Sequence, residues 1–252
     1  MKIISIVNNK GGVGKTTSSQ NIAAALHRFA KQKVLLIDLD SQASLTKCFG
    51  IMDSSNKKNC GNFILGDTPF QDVVVSVAGV DVLPSSPFLN SMEDSMKSAA
   101  VFPFNLKIAL EKIKDQYDYV IIDCPPTLSS LTRIALISCN YYYVPLQAEY
   151  LSYEGLRNFL FYSNELRQIS PNTTLGGVFA TRYNPNIKKK LSNDLIEATR
   201  KQLGDMFMNT YIRDNISLSE AQARGTDIFD YAPDSNGAVD YYSLTKEILN
   251  KK

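Results

Sequence analysis

The first residues able to do chemistry stand in one string, Lys10-Gly11-Gly12-Val13-Gly14-Lys15-Thr16-Thr17. Small residues let successive backbone N–H groups face one point, and a helix starting just after them adds the positive end of its dipole, so the string suits a phosphate. Lys15 would reach the β- and γ-oxygens of a nucleoside triphosphate, and the Thr16 hydroxyl would ligate Mg²⁺. The pattern Gly-x-x-x-x-Gly-Lys-[Ser/Thr] fails only at its first position, which holds Asn9. Lys10 is a second lysine that phosphate binding within one chain does not require.

Two acidic strand ends accompany this loop. Asp38-Leu39-Asp40-Ser41-Gln42 leaves the apolar run Val34 to Ile37, and Asp123 closes Tyr119 to Ile122 just before Pro125-Pro126. Behind a phosphate loop, Asp123 could hold Mg²⁺ through its waters. Phosphoryl transfer depends on placement of nucleophile and charge more than on a strong base, so one carboxylate near the γ-phosphate suffices.

These groups need a frame. Ile3 to Val7 reads as a buried strand and Thr16 to Leu26 as an alanine-rich helix, the opening of a βαβ unit. Tyr141 to Pro145 and Leu175 to Thr181 add strands, with helical stretches near 103–116, 127–139, 152–169, 187–202 and 236–250. The alternation implies an α/β fold, a mostly parallel twisted sheet with helices on both faces and its ligand crevice at the carboxyl ends of the strands. Ser54 to Leu89 is mixed, although Val73 to Val75 and Val80 to Leu83 look like strands. With no repeat or linker, residues 1–252 read as a single domain.

Composition narrows the classes. Lys+Arg 27 against Asp+Glu 25 gives a net charge of +2, which excludes a strongly basic coat and leaves any nucleic-acid contact local or conditional. Cys48, Cys60, Cys124 and Cys139 form no C-x-x-C pair, and His27 is the sole histidine, which argues against a zinc module or a disulfide framework. No run approaches the roughly 18 apolar residues of a membrane span, and no export signal opens the chain, so the expected compartment is the cytoplasm.

The phosphate string, with Asp38-Leu39-Asp40-Ser41-Gln42 and Tyr117 to Pro126, resembles the deviant phosphate loop, switch I and Walker B–switch II stretches of the ParA/MinD family of ATPases. The resemblance runs from Lys2 to about Leu249 and is greatest to small, Soj-type ParA proteins. It implies a P-loop NTPase-like fold with ATP and Mg²⁺ as cofactors. By the same resemblance, Lys10, Gly11, Gly12, Val13, Gly14, Lys15, Thr16 and Thr17 contact nucleotide, and Thr16, Asp38 and Asp123 serve the metal. Lys10, Lys15 and Asp40 would be catalytic: Lys10 crosses a homodimer interface to the other subunit's nucleotide, and Asp40 orients or deprotonates the attacking water. Ser41 stands where the family usually has proline.

Thr181-Arg182-Tyr183 and Tyr231 to Ala238 resemble the family's adenine-cradling stretches, the second through a Tyr-x-Pro-x-Ser-x-Gly-Ala pattern. Arg182, Pro233 and Asp234 are the adenine-side candidates. Asn215 to Ala221 resembles Asn-Val-Arg-Leu-Ser-Glu-Ala, near which ParA-type proteins carry arginines for sequence-independent DNA binding. The aligned arginine positions hold Asp214 and Ser217 here, and Arg213 sits where proline is usual. The DNA surface would then fall to Lys188, Lys189, Lys190, Arg213 and Arg224.

The function implied is DNA partitioning, for a plasmid or a chromosome: an ATP-dependent sandwich dimer on non-specific DNA, released when a ParB-like centromere-binding protein stimulates hydrolysis. Such a protein is cytoplasmic, nucleoid-associated and independent of membrane. The phosphate-loop strand begins at residue 2, without the helix-turn-helix extension of larger ParA proteins. The tail from Tyr241 reads as a closing core helix rather than an amphipathic membrane segment. Cys124 lacks the spacing of a nitrogenase-reductase cluster ligand, and Tyr241-Tyr242 is not a terminal tyrosine cluster of the bacterial tyrosine-kinase kind. A MinD-like positioning ATPase acting on a membrane or protein cargo, and a small-molecule synthetase of this fold, are the alternatives.

Overall fold

The computed structural model describes residues 1–51, 58–187 and 190–251. Its first half runs β1 (Lys2–Ile6), α1 (Lys15–Ala30), β2 (Val34–Asp38), α2 (Ser44–Cys48), α3 (Cys60–Leu65), β3 (Val75–Val77), β4 (Val80–Leu83), α4 (Leu89–Ser98), α5 (Asn105–Glu111) and β5 (Tyr119–Asp123). Then follow α6 (Ser130–Ser138), β6 (Tyr141–Gln147), α7 (Tyr150–Leu166), β7 (Thr174–Thr181), α8 (Lys190–Leu203), α9 (Ile216–Ala223), α10 (Ile228–Tyr231) and α11 (Asn236–Asn250).

The strands form one sheet in the order β3-β4-β2-β5-β1-β6-β7, parallel throughout except for the β3–β4 hairpin. Apolar residues of both parities along β1, β2, β5 and β6 are buried because both faces are covered. Ile3, Leu35, Ile37, Val120 and Ile122 enter one core with Phe63, Leu106, Ile134 and Phe159. Ile4, Ile6, Leu36 and Ile121 enter the other, with Ile22, Leu26, Leu218, Ile228 and Leu244. The sheet and its two helical layers are the architecture that the alternating pattern implied.

Two boundaries differ from expectation. The Val73 run is not a strand: Val73 is buried after a single tight turn, Phe70–Asp72, and the strand starts at Val75, opposite Val82. The turn through Ala78 and Gly79, both with positive φ, sets that register. The helix expected over 103–116 is cut to α5, since Ile113 and Tyr117 leave it to turn into the core.

The last helix behaves as a core element: Ala238, Tyr241, Leu244 and Ile248 are buried, and the Tyr241 and Ser18 hydroxyls meet at 3.1 Å. Among the described residues no helix is long and apolar enough to cross a membrane.

Candidate functional site

Parallel pairing brings the carboxyl ends of β1, β2, β5 and β6 to one edge. Asp38 stands beside Asp123, Ile6 beside Asp123, and Ile6 beside Tyr143. The phosphate loop leaves β1 at this edge and enters α1. Gly12 and Gly14 have φ of 75° and 89°, which a Cβ would strain. Gly14 is the cap residue of α1 and offers no side-chain acceptor, so the helix's first N–H groups are left for a ligand.

The loop is tied down from β6 and β7. Asn8 Nδ2 donates to the Pro145 carbonyl at 2.8 Å, Gln147 Nε2 to the Gly12 carbonyl at 3.0 Å, and Thr181 Oγ1 to the Val13 carbonyl at 2.9 Å. Lys15 is buried and donates to the Lys10 carbonyl at 2.9 Å. Desolvation lowers the Lys15 pKa, against the attraction of Asp123. Lys10 turns outward, and its Nζ lies 2.6 Å from Glu149 Oε2.

Asp123 is almost fully buried and accepts from Thr16 Oγ1 at 2.8 Å and from Ser19 Oγ at 2.9 Å. Burial, with Asp38 alongside, pushes its pKa up to about 7. Asp38 has no exposure, and burial raises it to about 6. Its Oδ1 accepts the Asp40 N–H at 3.0 Å, and its Oδ2 accepts the Thr46 N–H and Oγ1 at 2.9 and 2.7 Å. Asp38 thus anchors the segment that carries Asp40, while Asp40 is partly exposed and accepts the Gln42 N–H at 2.9 Å.

Thr16 and Asp123 fit Mg²⁺: both are hard oxygen donors, adjacent to each other and to the start of α1. Among the described residues no three His, Cys, Asp or Glu side chains cluster as a metal cage. Mg²⁺ characteristically takes few protein ligands and keeps waters and substrate phosphates.

A pocket of about 190 Å³ opens beside the loop, lined by Gly12, Thr17, Thr181, Arg182, Asp214 and Asn215. Arg182 holds a positive φ of 51°, uncommon for a residue with a side chain, and pairs with Asp214 at 3.3 Å. The structure puts Arg182 beside the phosphate loop. It does not bring Pro233 and Asp234 there. Pro233 lines a separate depression with His27, Phe29 and Phe229 near the far end of α1, and Asp234 is exposed. The reason is local: Ser235 accepts the Ala238 N–H at 3.2 Å, so the Pro-x-Ser stretch caps α11. Asp214 and Asn215 take that place by the loop; the one sequence cue was Asn215, which N-caps α9.

The basic candidates separate. Lys190 is exposed at the start of α8, and Arg224 is exposed with its guanidinium 5.0 Å from the centre of the Tyr231 ring. Arg213 is held instead by the buried Asp240, through its backbone N–H and guanidinium at 2.6–3.1 Å, and it lines the pocket by the loop. That geometry withdraws it from an open basic surface. Lys188 and Lys189 lie outside the described residues.

A family model described as an AAA domain matches residues 1–175. The chain is 37% identical to the sporulation initiation inhibitor protein Soj of Bacillus subtilis (strain 168), over 98% of each. It is 35% identical to the chromosome-partitioning ATPase Soj of Treponema pallidum (strain Nichols), over 98% of this chain and 97% of that protein. Among solved structures it resembles the cobyrinic acid a,c-diamide synthase of Mycobacterium smegmatis with bound ATP analog and magnesium, at TM-score 0.86 and 29% identity, over 99% of this chain and 94% of that one. Identity of this order, spread along both whole chains and joined to a two-lysine phosphate loop on a parallel sheet, means that the chain belongs to the ParA/MinD family of deviant phosphate-loop ATPases and is of the Soj type.

Proposed function

We propose that this chain is a DNA-partitioning ATPase: it binds ATP with Mg²⁺ at the phosphate loop, pairs with a second copy around two nucleotides, and holds non-specific DNA as the dimer. A ParB-like centromere-binding partner stimulates hydrolysis and release, which makes the protein cytoplasmic and nucleoid-associated. The observation that carries this reading is the division between the two loop lysines, Lys15 buried in its own site and Lys10 turned outward.

In this reading the triphosphate takes the place of the Lys10 carbonyl on the Lys15 ammonium, and the loop N–H groups and the start of α1 neutralise the remaining oxygens. Thr16 and Asp123 would hold the Mg²⁺, which would supply positive charge against the phosphates. Asp40, fixed from behind by Asp38, would orient the attacking water and accept its proton as the water oxygen bonds to the γ-phosphorus and the bond to the ADP leaving group breaks. The partner copy's Lys10 would complete the charge around the γ-phosphate. The base would lie in the pocket walled by Arg182, Asp214 and Asn215. Lys190 and Arg224 are the described candidates for the DNA surface, with Lys188 and Lys189 beside Lys190 in sequence.

Cosedimentation with DNA and with anionic liposomes, each with and without ATP and Mg²⁺, tests the function. The expected result is ATP-dependent capture by DNA alone; capture by liposomes instead would favour the MinD-like reading, and fast partner-independent turnover on a metabolite would favour a synthetase. Asp40→Ala should slow hydrolysis by about 100-fold or more while the ATP dimer persists, a scale set by losing a positioned base. Undiminished turnover would remove Asp40 from the reaction.

A further inference from the structure

Alternate residues of β6 and its exit reach the phosphate loop. The Pro145 carbonyl accepts from Asn8, Gln147 donates to the Gly12 carbonyl, and Glu149 accepts from Lys10. Pro145 acts through its backbone, Gln147 and Glu149 through their side chains, and Glu149 lies just past the end of the strand. The first two contacts hold the loop in shape. The third is different, because it occupies a charge that the proposed reaction uses elsewhere.

Glu149 is the cap residue of α7, yet its carboxylate makes no capping bond. Acidic groups at such positions are ordinarily drawn to first-turn N–H groups and the positive helix end. Here the carboxylate meets the Lys10 ammonium at 2.6 Å, with the two side chains 61% and 31% exposed. An ion pair this open separates into water without leaving a buried charge behind. Among the described residues, a Cβ built on the following Gly11 or Gly12 would meet nothing within 4 Å.

We propose that Glu149 is a positioning residue that keeps Lys10 within its own subunit and thereby sets the ATP level at which two chains pair. The inference rests on the reading in which Lys10 serves the partner's nucleotide. One ammonium cannot sit on Glu149 and across the interface together, so each dimer must open two such pairs. Two exposed pairs correspond to about a 2- to 30-fold change in the dimerisation constant.

The test is sedimentation velocity of the full chain, titrated with a non-hydrolysable ATP analogue and Mg²⁺. Glu149→Gln should raise the dimerisation constant by about 2- to 30-fold, and the gap from the parent should narrow in about 1 M salt. Glu149→Ser, which retains a favourable cap residue for α7, should behave alike and guards against a folding defect. In a Lys10→Ala background either substitution should change nothing. Equal or weaker pairing by both variants, or the same gain without Lys10, would overturn the role of Glu149 while leaving the dimer reading intact. A parent chain that stays monomeric throughout the titration would instead remove the dimer reading, and the role of Glu149 with it.

Discussion

At the scale of single residues, the site is held by carboxylates in places where a charge is costly. Asp123 is surrounded by hydroxyls and Lys15 and is almost fully buried, and its pKa rises from 3.8 to about 7. Between those values the folded chain keeps a proton that the unfolded chain has lost. This group's contribution to stability is therefore full below about pH 4 and falls as pH climbs through about 7. Thr16 and Ser19 hydroxyls can rotate to suit an amide, so Asp123→Asn should fold. Without nucleotide it should melt about 2–8 °C above the parent at about pH 8 and match it near pH 4. Its Mg²⁺-dependent hydrolysis should fall by about 10- to 100-fold or more. Melting curves across pH decide the first point; an unchanged pH profile would mean that Asp123 is ionised in the folded chain.

At the scale of elements, legibility followed burial. Strands β1, β2 and β5 are covered on both faces, so their nearly continuous apolar runs could be found in the sequence, and the acidic ends of β2 and β5 followed from them. The strand β3 slipped by two positions because Val73 is as apolar as Val75, and only the Ala78-Gly79 turn decides between them. The wall of the pocket beside the loop was hidden for another reason. It is built by the segment before α9, which bridges to β7 at Ile212 and Thr181, a pairing set by tertiary packing. Glu149 had no motif to mark it at all, since its role depends on β6 lying next to β1. The same wall explains why Arg213 behaves as a fastening. Arg213→Ala would leave the buried Asp240 with one backbone N–H, at a cost of about 1–3 kcal/mol. A lower urea midpoint together with weaker ATP binding is expected; unchanged stability with lost DNA capture would return Arg213 to the DNA surface.

At the scale of the whole molecule, the near-balance of charge constrains how DNA would be held under the proposed function. A chain of net charge +2 has no general basic field, so affinity must come from a few cations placed together, and pairing two copies doubles their number without changing either fold. Each phosphate contact contributes about 0.9 to the slope of log K against log salt. In a symmetric dimer one substitution removes two contacts, so Lys190→Ala or Arg224→Ala should each flatten that slope by about 1.8 while the fold is kept. Fluorescence anisotropy with short duplex DNA, titrated with salt in the presence of ATP and Mg²⁺, measures it directly. A slope that either substitution leaves unchanged removes that residue from the surface. A slope as steep without ATP as with it would mean that the single chain already carries the whole DNA surface, and control by pairing would fail.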